Sequence, residues 1–134
     1  MFKIAILVLL AAAVAVAALA FFGRRSDDSQ PSSDATVLAQ LRKIGSDLSK
    51  PHVIEFFMYL PSDAAAQRVA ESLRTKGFNV TVGPSARGDP ERLTVATRSM
   101  VPELAEIERI RTMLTAISVS ENGDFDGWGA PVVK

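Results

Sequence analysis

His52-Val53-Ile54-Glu55-Phe56-Phe57-Met58-Tyr59-Leu60 is the stretch on which the fold turns. It is β-branched, aromatic and aliphatic with one charge, and Pro61 stops it, which predicts a central strand. Alternation sends Ile54, Phe56, Met58 and Leu60 to one face and Val53, Glu55, Phe57 and Tyr59 to the other. Both rows are apolar, so the second face needs either a cover or a partner.

Downstream, Ser62 or Asp63 can cap a helix whose Ala65, Val69 and Leu73 form a stripe with Ala66 and Ala70 beside it. Gly77 supplies a left-handed cap. Phe78, Val80 and Val82 alternate with Asn79 and Thr81 as a second strand. The loop Gly83 to Pro90 follows, rich in breakers. Arg92 to Arg98 is a third strand, read with Leu93 and Val95 inward and Arg92, Thr94, Ala96 and Arg98 outward. Pro102 fits the first turn of a second helix with Leu104, Ile107, Ile110, Leu114 and Ile117 buried. Glu106/Arg109 and Glu108/Arg111 are spaced as i, i+3 pairs on its outer face. The chain then reaches Gly123-Asp124-Phe125-Asp126-Gly127-Trp128-Gly129, with the only tryptophan between two glycines. Too little chain follows for a hairpin, so this tail is a last, irregular strand pinning the ring to the core.

Upstream, Val37, Leu41, Ile44 and Leu48 share one face of an amphipathic helix, capped by Ser33 or Asp34, weakened by Gly45 and ended by Pro51. This Val37–Leu48 helix is a candidate cover for the second strand face. Gly23 to Asp34 is a polar tether that can bury nothing. Ile4 to Phe22 is nineteen consecutive apolar residues. As a helix it would reach ~28 Å, close to the ~30 Å hydrocarbon core. Two readings stay open: a signal anchor, or a signal peptide cleaved after Ala18-Leu19-Ala20. Lys3 on one side and Arg24 and Arg25 on the other leave membrane orientation undetermined.

The expected fold class is therefore α+β. Strand, helix, strand, strand, helix, strand is the order of a ferredoxin-like sandwich, a four-stranded antiparallel sheet with two helices on one face. An N-terminal transmembrane helix and a short amphipathic helix precede it. The expected divisions are 1–25, membrane segment; 26–50, tether and amphipathic helix; and 51–134, the α+β domain.

Charge and composition narrow the function. Of fifteen basic residues, Lys3, Arg24 and Arg25 flank the apolar run, leaving twelve against fifteen acidic in residues 26–134. That balance argues against a nucleic-acid surface, which needs clustered Lys and Arg. No cysteine and a single histidine, His52, exclude thiol chemistry and histidine clusters. His52, at a strand head, reads as a packed, hydrogen-bonded residue. Asp124 and Asp126 form a fragment of a calcium loop without its closing Glu, and read as turn and strand-end residues. No catalytic residue, metal site or cofactor is expected. The candidate partner surface is Val53, Glu55, Phe57 and Tyr59. The same aromatics could in principle stack nucleic-acid bases, but no RNA-recognition signature accompanies them.

From His52 to Trp128 the chain resembles the family of regulator of ribonuclease E activity B, also called the ribonuclease E inhibitor family. The likeness rests on HVIEFFMYLPSDAAA, on TKGFNVTV, on Thr97-Arg98-Ser99-Met100-Val101-Pro102, and most of all on the tail. There Gly123, Phe125, Asp126, Gly127 and Trp128 match a family signature read as structural. The resemblance implies a ferredoxin-like fold and a non-catalytic regulator that binds the scaffold part of ribonuclease E. The expectation is a bacterial, single-pass inner-membrane protein, tethered through residues 4–22, that binds a protein partner. The alternatives are a periplasmic or membrane-associated adaptor unrelated to ribonuclease and, less favoured, an RNA-binding sheet. A ribonuclease partner would place the domain on the cytoplasmic side; signal cleavage would make it periplasmic.

Overall fold

Alternating burial along His52–Leu60 sets the frame, since every even-numbered residue is buried and Ile54, Phe56, Met58 and Leu60 are fully so. The computed structural model describes residues 32–134. The apolar run 4–22 and residues 23–31 of the tether lie outside the described residues. Among those described, no helix is long and apolar enough to cross a membrane.

The elements are α1 (Ser33–Lys43), β1 (His52–Leu60), α2 (Asp63–Arg74), β2 (Asn79–Pro84), β3 (Arg92–Met100), α3 (Leu104–Ser120) and β4 (Asp124–Gly129). The four strands form one sheet in the order β2-β3-β1-β4, with every neighbouring pair antiparallel. This is an α+β architecture compatible with a ferredoxin-like sandwich. The helices α2 and α3 pack on the even-numbered face of β1, α2 towards β2 and β3, α3 towards β4. Phe56 meets Phe78 edge-to-face at 6.1 Å in the layer beneath.

α2 forms as the sequence dictates. Ser62 accepts a hydrogen bond from the Ala65 amide, and Ala65, Ala66, Val69, Ala70 and Leu73 are buried. Gly77 leaves it in the left-handed region at φ 91°. Its alanine stripe brings the helix down close to β3, whose parity is the reverse of the expected one. Leu93 and Val95 do not face inward; Thr94 and Ala96 do, both fully buried. Antiparallel register sets this parity, pairing Ala96 with the inward Phe56 and Thr94 with the inward Met58. Small side chains on β3 make room for the large ones beside them.

α1 differs from expectation in extent and position. Ser32, not Ser33 or Asp34, is the cap, accepting from the Ala35 amide. Gly45 does not sit inside the helix; at φ 99° it is the left-handed residue just beyond the helix end. The helix stops at Lys43 rather than at Pro51, and Ile44 is 51% exposed. Leu38 takes its place beside Val37 and Leu41, which join the same core as the sheet. On α3 the buried residues are Ile107, Ile110, Leu114 and Ser118. Leu104 is partly exposed in the first turn and Ile117 only partly buried, while Pro102 lies ahead of the helix cap, Glu103.

β4 closes the structure through a bulge. Gly127 pairs with Phe57 and Phe125 with Met58, so Asp126 is the extra residue. In a regular strand Phe125 and Trp128, three apart, would face opposite sides. The bulge puts both on the helix side, and Trp128 becomes fully buried opposite Phe56. Its indole Nε1 donates to Asp34 Oδ1 at 3.0 Å, and Arg111 Nε donates to Asp34 Oδ2 at 2.6 Å. Arg111 is thus drawn away from the expected Glu108 pairing, whereas the Glu106/Arg109 pair forms at 2.6 Å.

Trp128→Ala should cost about 3–5 kcal/mol by emptying this site. Trp128→Phe keeps most of the ring but strands one Asp34 oxygen, and should cost about 1–3 kcal/mol. Equilibrium denaturation of both variants checks the order; equal midpoints for Trp128→Phe and the parent would show that the indole hydrogen bond contributes nothing.

Candidate functional site

The odd-numbered residues of β1 lie on the sheet face that carries none of the described helices. Val53 is 51% exposed, and Glu55, Phe57 and Tyr59 are half-buried. The expected cover is not there: α1 packs beside α3 on the opposite side, with Asp34 against Trp128. No other described element covers the face.

Register completes the surface. On β3, Leu93 lies opposite Tyr59, Val95 opposite Phe57 and Thr97 opposite Glu55. On β4, Asp124 lies opposite Tyr59, Gly127 opposite Phe57 and Gly129 opposite Glu55. Phe57 therefore has a valine on one side and no side chain on the other. Aromatic rings flanked by half-buried aliphatics and glycine backbone make a flat apolar strip.

The acidic end of this strip is organised by Arg87 from the β2–β3 loop. Its guanidinium stands 3.8 Å over the Tyr59 ring and reaches Asp124 at 3.3 Å and Glu91 at 3.5 Å. Burial, and then the nearby Asp126 carboxylate, push the Tyr59 hydroxyl above its ordinary range. Burial also raises Asp126. Glu55 stands apart. Burial alone raises its carboxyl above the ordinary value, and no cation pairs with it among the described residues.

Sequence reasoning placed Val53, Glu55, Phe57 and Tyr59 on one face and the structure keeps them together. It missed Leu93, Val95 and Arg87. Pairing parity with β1 is the signal that would have found the first two; Arg87 comes from a loop whose path no periodicity encodes.

The tail residues have separate physical reasons. A Cβ at Gly123 would run into the Tyr59 carbonyl and the Leu60 side chain. Gly127, at φ 121°, sits where side chains are rarely tolerated. Phe125 packs against the core, Asp126 makes the bulge and Trp128 fills the interior.

Catalytic chemistry finds no footing in His52. It is buried, with Nδ1 against the Lys50 carbonyl at 2.8 Å and Nε2 against Ser46 Oγ at 2.6 Å. The carbonyl can only accept, so Nδ1 carries the proton and Nε2 takes the Ser46 hydroxyl. Ser46 Oγ in turn accepts from the Val133 amide at 3.0 Å, clipping the C-terminal segment to the head of β1. Among the described residues, no group of three or more His, Asp or Glu side chains converges as a metal ion requires.

Two comparisons bear on this chain. A family model described as regulator of ribonuclease activity B matches residues 32–130. No curated protein matches it.

A raised carboxyl pKa means that the folded state binds the proton more tightly than the unfolded state. Glu55 therefore weakens the fold above its folded pKa, and the penalty disappears as pH falls below the ordinary carboxylate value. Glu55→Gln should raise the denaturant midpoint at pH 7, with a gain that shrinks to nothing on acidification through that range. A variant less stable than the parent at pH 7 would show that the carboxylate has a compensating partner.

Proposed function

This chain belongs to the regulator of ribonuclease activity B family, and from that premise we propose that it is a non-catalytic regulator of ribonuclease E. It acts by binding a protein segment on the open face of its sheet. The observation that carries this reading is the strip of Phe57, Tyr59, Leu93 and Val95 beside Glu55, which no described helix covers and which only Arg87 crosses, at Tyr59. A carboxylate kept on an apolar face at a cost to stability fits a residue held for recognition rather than folding. The two half-buried aromatics of this face, Phe57 and Tyr59, supply rigid contact area of the kind that anchors protein interfaces.

Residues 4–22 support the further reading that the domain works at a membrane, because nineteen consecutive apolar residues suffice to span one. A ribonuclease partner then requires the cytoplasmic side. On this reading the full-length protein stays with membranes through high salt and alkaline extraction. A mature protein beginning near Phe21 would instead identify a cleaved signal.

The partner reading is tested by capture with scaffold fragments of ribonuclease E. Phe57→Ala and Tyr59→Ala should each weaken retention by about tenfold or more, the scale of an interface hot spot. Binding centred on this strip should change little with salt. Steeply salt-dependent binding to single-stranded RNA, with no protein retained, would replace this reading with an RNA-binding sheet.

A further inference from the structure

Charge is distributed unevenly along the strand axis. At the end where β1 finishes and β3 begins, the arginines are neutralised: Arg68 by Glu121, Arg87 by Asp124 and Glu91, Arg92 by Asp89 and Asp63. At the other end α1 finishes, β1 begins, β3 finishes and α3 begins. The cations there, Arg42, Lys43, Lys50, Lys76 and Arg98, enter no ion pair with a side-chain carboxylate among the described residues, although Lys50 Nζ donates to the Lys134 main-chain oxygen at 2.8 Å. They outnumber the carboxylates of that end that enter no ion pair, Asp47, Glu71 and Glu103; Glu106, in the first turn of α3, is paired with Arg109 at 2.6 Å.

The same end holds most of the large exposed hydrophobics among the described residues. Of the large exposed hydrophobics, Ile44 (51%), Val101 (37%) and Leu104 (37%) lie here with Val53 at the rim, and Val119 alone is at the opposite end. The Ser46–His52 hydrogen bond at 2.6 Å ties the exit of α1 to the start of β1. Between α1 and α3 runs an open groove lined by Leu38, Leu48, Pro102 and Leu104 with Arg42 at its edge.

We propose that this end is a lipid-facing surface that seats on anionic headgroups, Ile44, Val101 and Leu104 dipping into the interface and the free cations contacting phosphates. Aliphatic side chains ringed by unpaired Lys and Arg are the composition of an interfacial contact, each cation near an anionic bilayer contributing modestly and additively. A nucleic-acid surface would interleave aromatics with the cations, and the sheet aromatics are on another face.

Chain length argues for the same occupant. The chain enters α1 at Ser32, and residues 23–31 can span at most ~30 Å. α1 then covers ~17 Å on its way to this end. A domain held by residues 4–22 would thus have this surface within reach of the bilayer. The choice of a bilayer as occupant rests on the anchored reading above; the charge and apolar asymmetry does not.

The chain contains no cysteine, so single labels can be placed in the full-length protein. Ile44→Cys, Leu104→Cys and Val119→Cys, each at an exposed site, carry an environment-sensitive fluorophore. They are mixed with phosphatidylglycerol/phosphatidylethanolamine vesicles containing a chain-nitroxide quencher. The labels at 44 and 104 should shift to the blue and be quenched, and the label at 119 should not. Quenching should fall in phosphatidylcholine vesicles, at high salt, and when Lys43→Glu and Lys50→Glu are added.

If the protein floats with vesicles while all three labels behave alike, the surface is overturned and the anchor stands. If alkaline extraction removes the protein but anionic vesicles still quench positions 44 and 104, the anchor falls and the surface stands. Failure to float with anionic vesicles overturns both.

Discussion

Asp34 lies 1% exposed between the Trp128 indole and the Arg111 guanidinium, and three elements meet on its two oxygens. A buried carboxyl group is costly unless its acceptor sites are filled, and here each oxygen has a donor. Its position in the first turn of α1 adds the favourable end of the helix dipole. α1 is thereby fixed beside α3, and β4 is fixed against both. Without the Asp126 bulge the indole would point to the other face of the sheet, and the carboxyl group would have no partner there. The irregularity in the last strand and the placement of the first helix are one constraint seen from two ends of the chain.

That constraint has a functional consequence. With α1 committed to the helix side, no described element covers the second face of the sheet. The two faces of β1 are almost equally apolar in sequence, yet one is the core and the other a surface. What distinguishes them is Glu55, which pairs with no cation among the described residues. Arg87 marks one limit of the strip by lying across Tyr59, with Asp124 and Glu91 holding it in place. Tyr59 is thus partly occupied by the protein's own loop, while Phe57 is the less guarded ring.

The fold also separates its charges. Most of the ion pairs gather at one end of the sheet, Glu106/Arg109 being the pair at the other, where cations without a carboxylate partner stand beside exposed aliphatics. Surface ion pairs of this kind add little stability, so their uneven placement matters mainly for the fields the two ends present. A near-neutral total charge conceals this, because opposite signs cancel in the sum and not in space.

Periodicity in the sequence determined the order and type of the elements, the inward row of β1 and the alanine stripe of α2, and the paired glycines marked the tail as an irregular last strand carrying a core tryptophan. Those features are local: alternation, helical spacing, a capping serine and a glycine at the turn each act within a few residues. It also grouped Val53, Glu55, Phe57 and Tyr59, because a strand's parity is fixed within the strand. Tertiary structure alone decided which way β3 faces, since Leu93 and Val95 look like core residues until pairing with β1 turns them outward. It alone decided where α1 goes, through a carboxyl group meeting an indole ninety-four positions along the chain. Hydrophobicity states how much surface must be buried, whereas register and long-range hydrogen bonds choose which surface, and that choice put every described helix on the other face of this sheet.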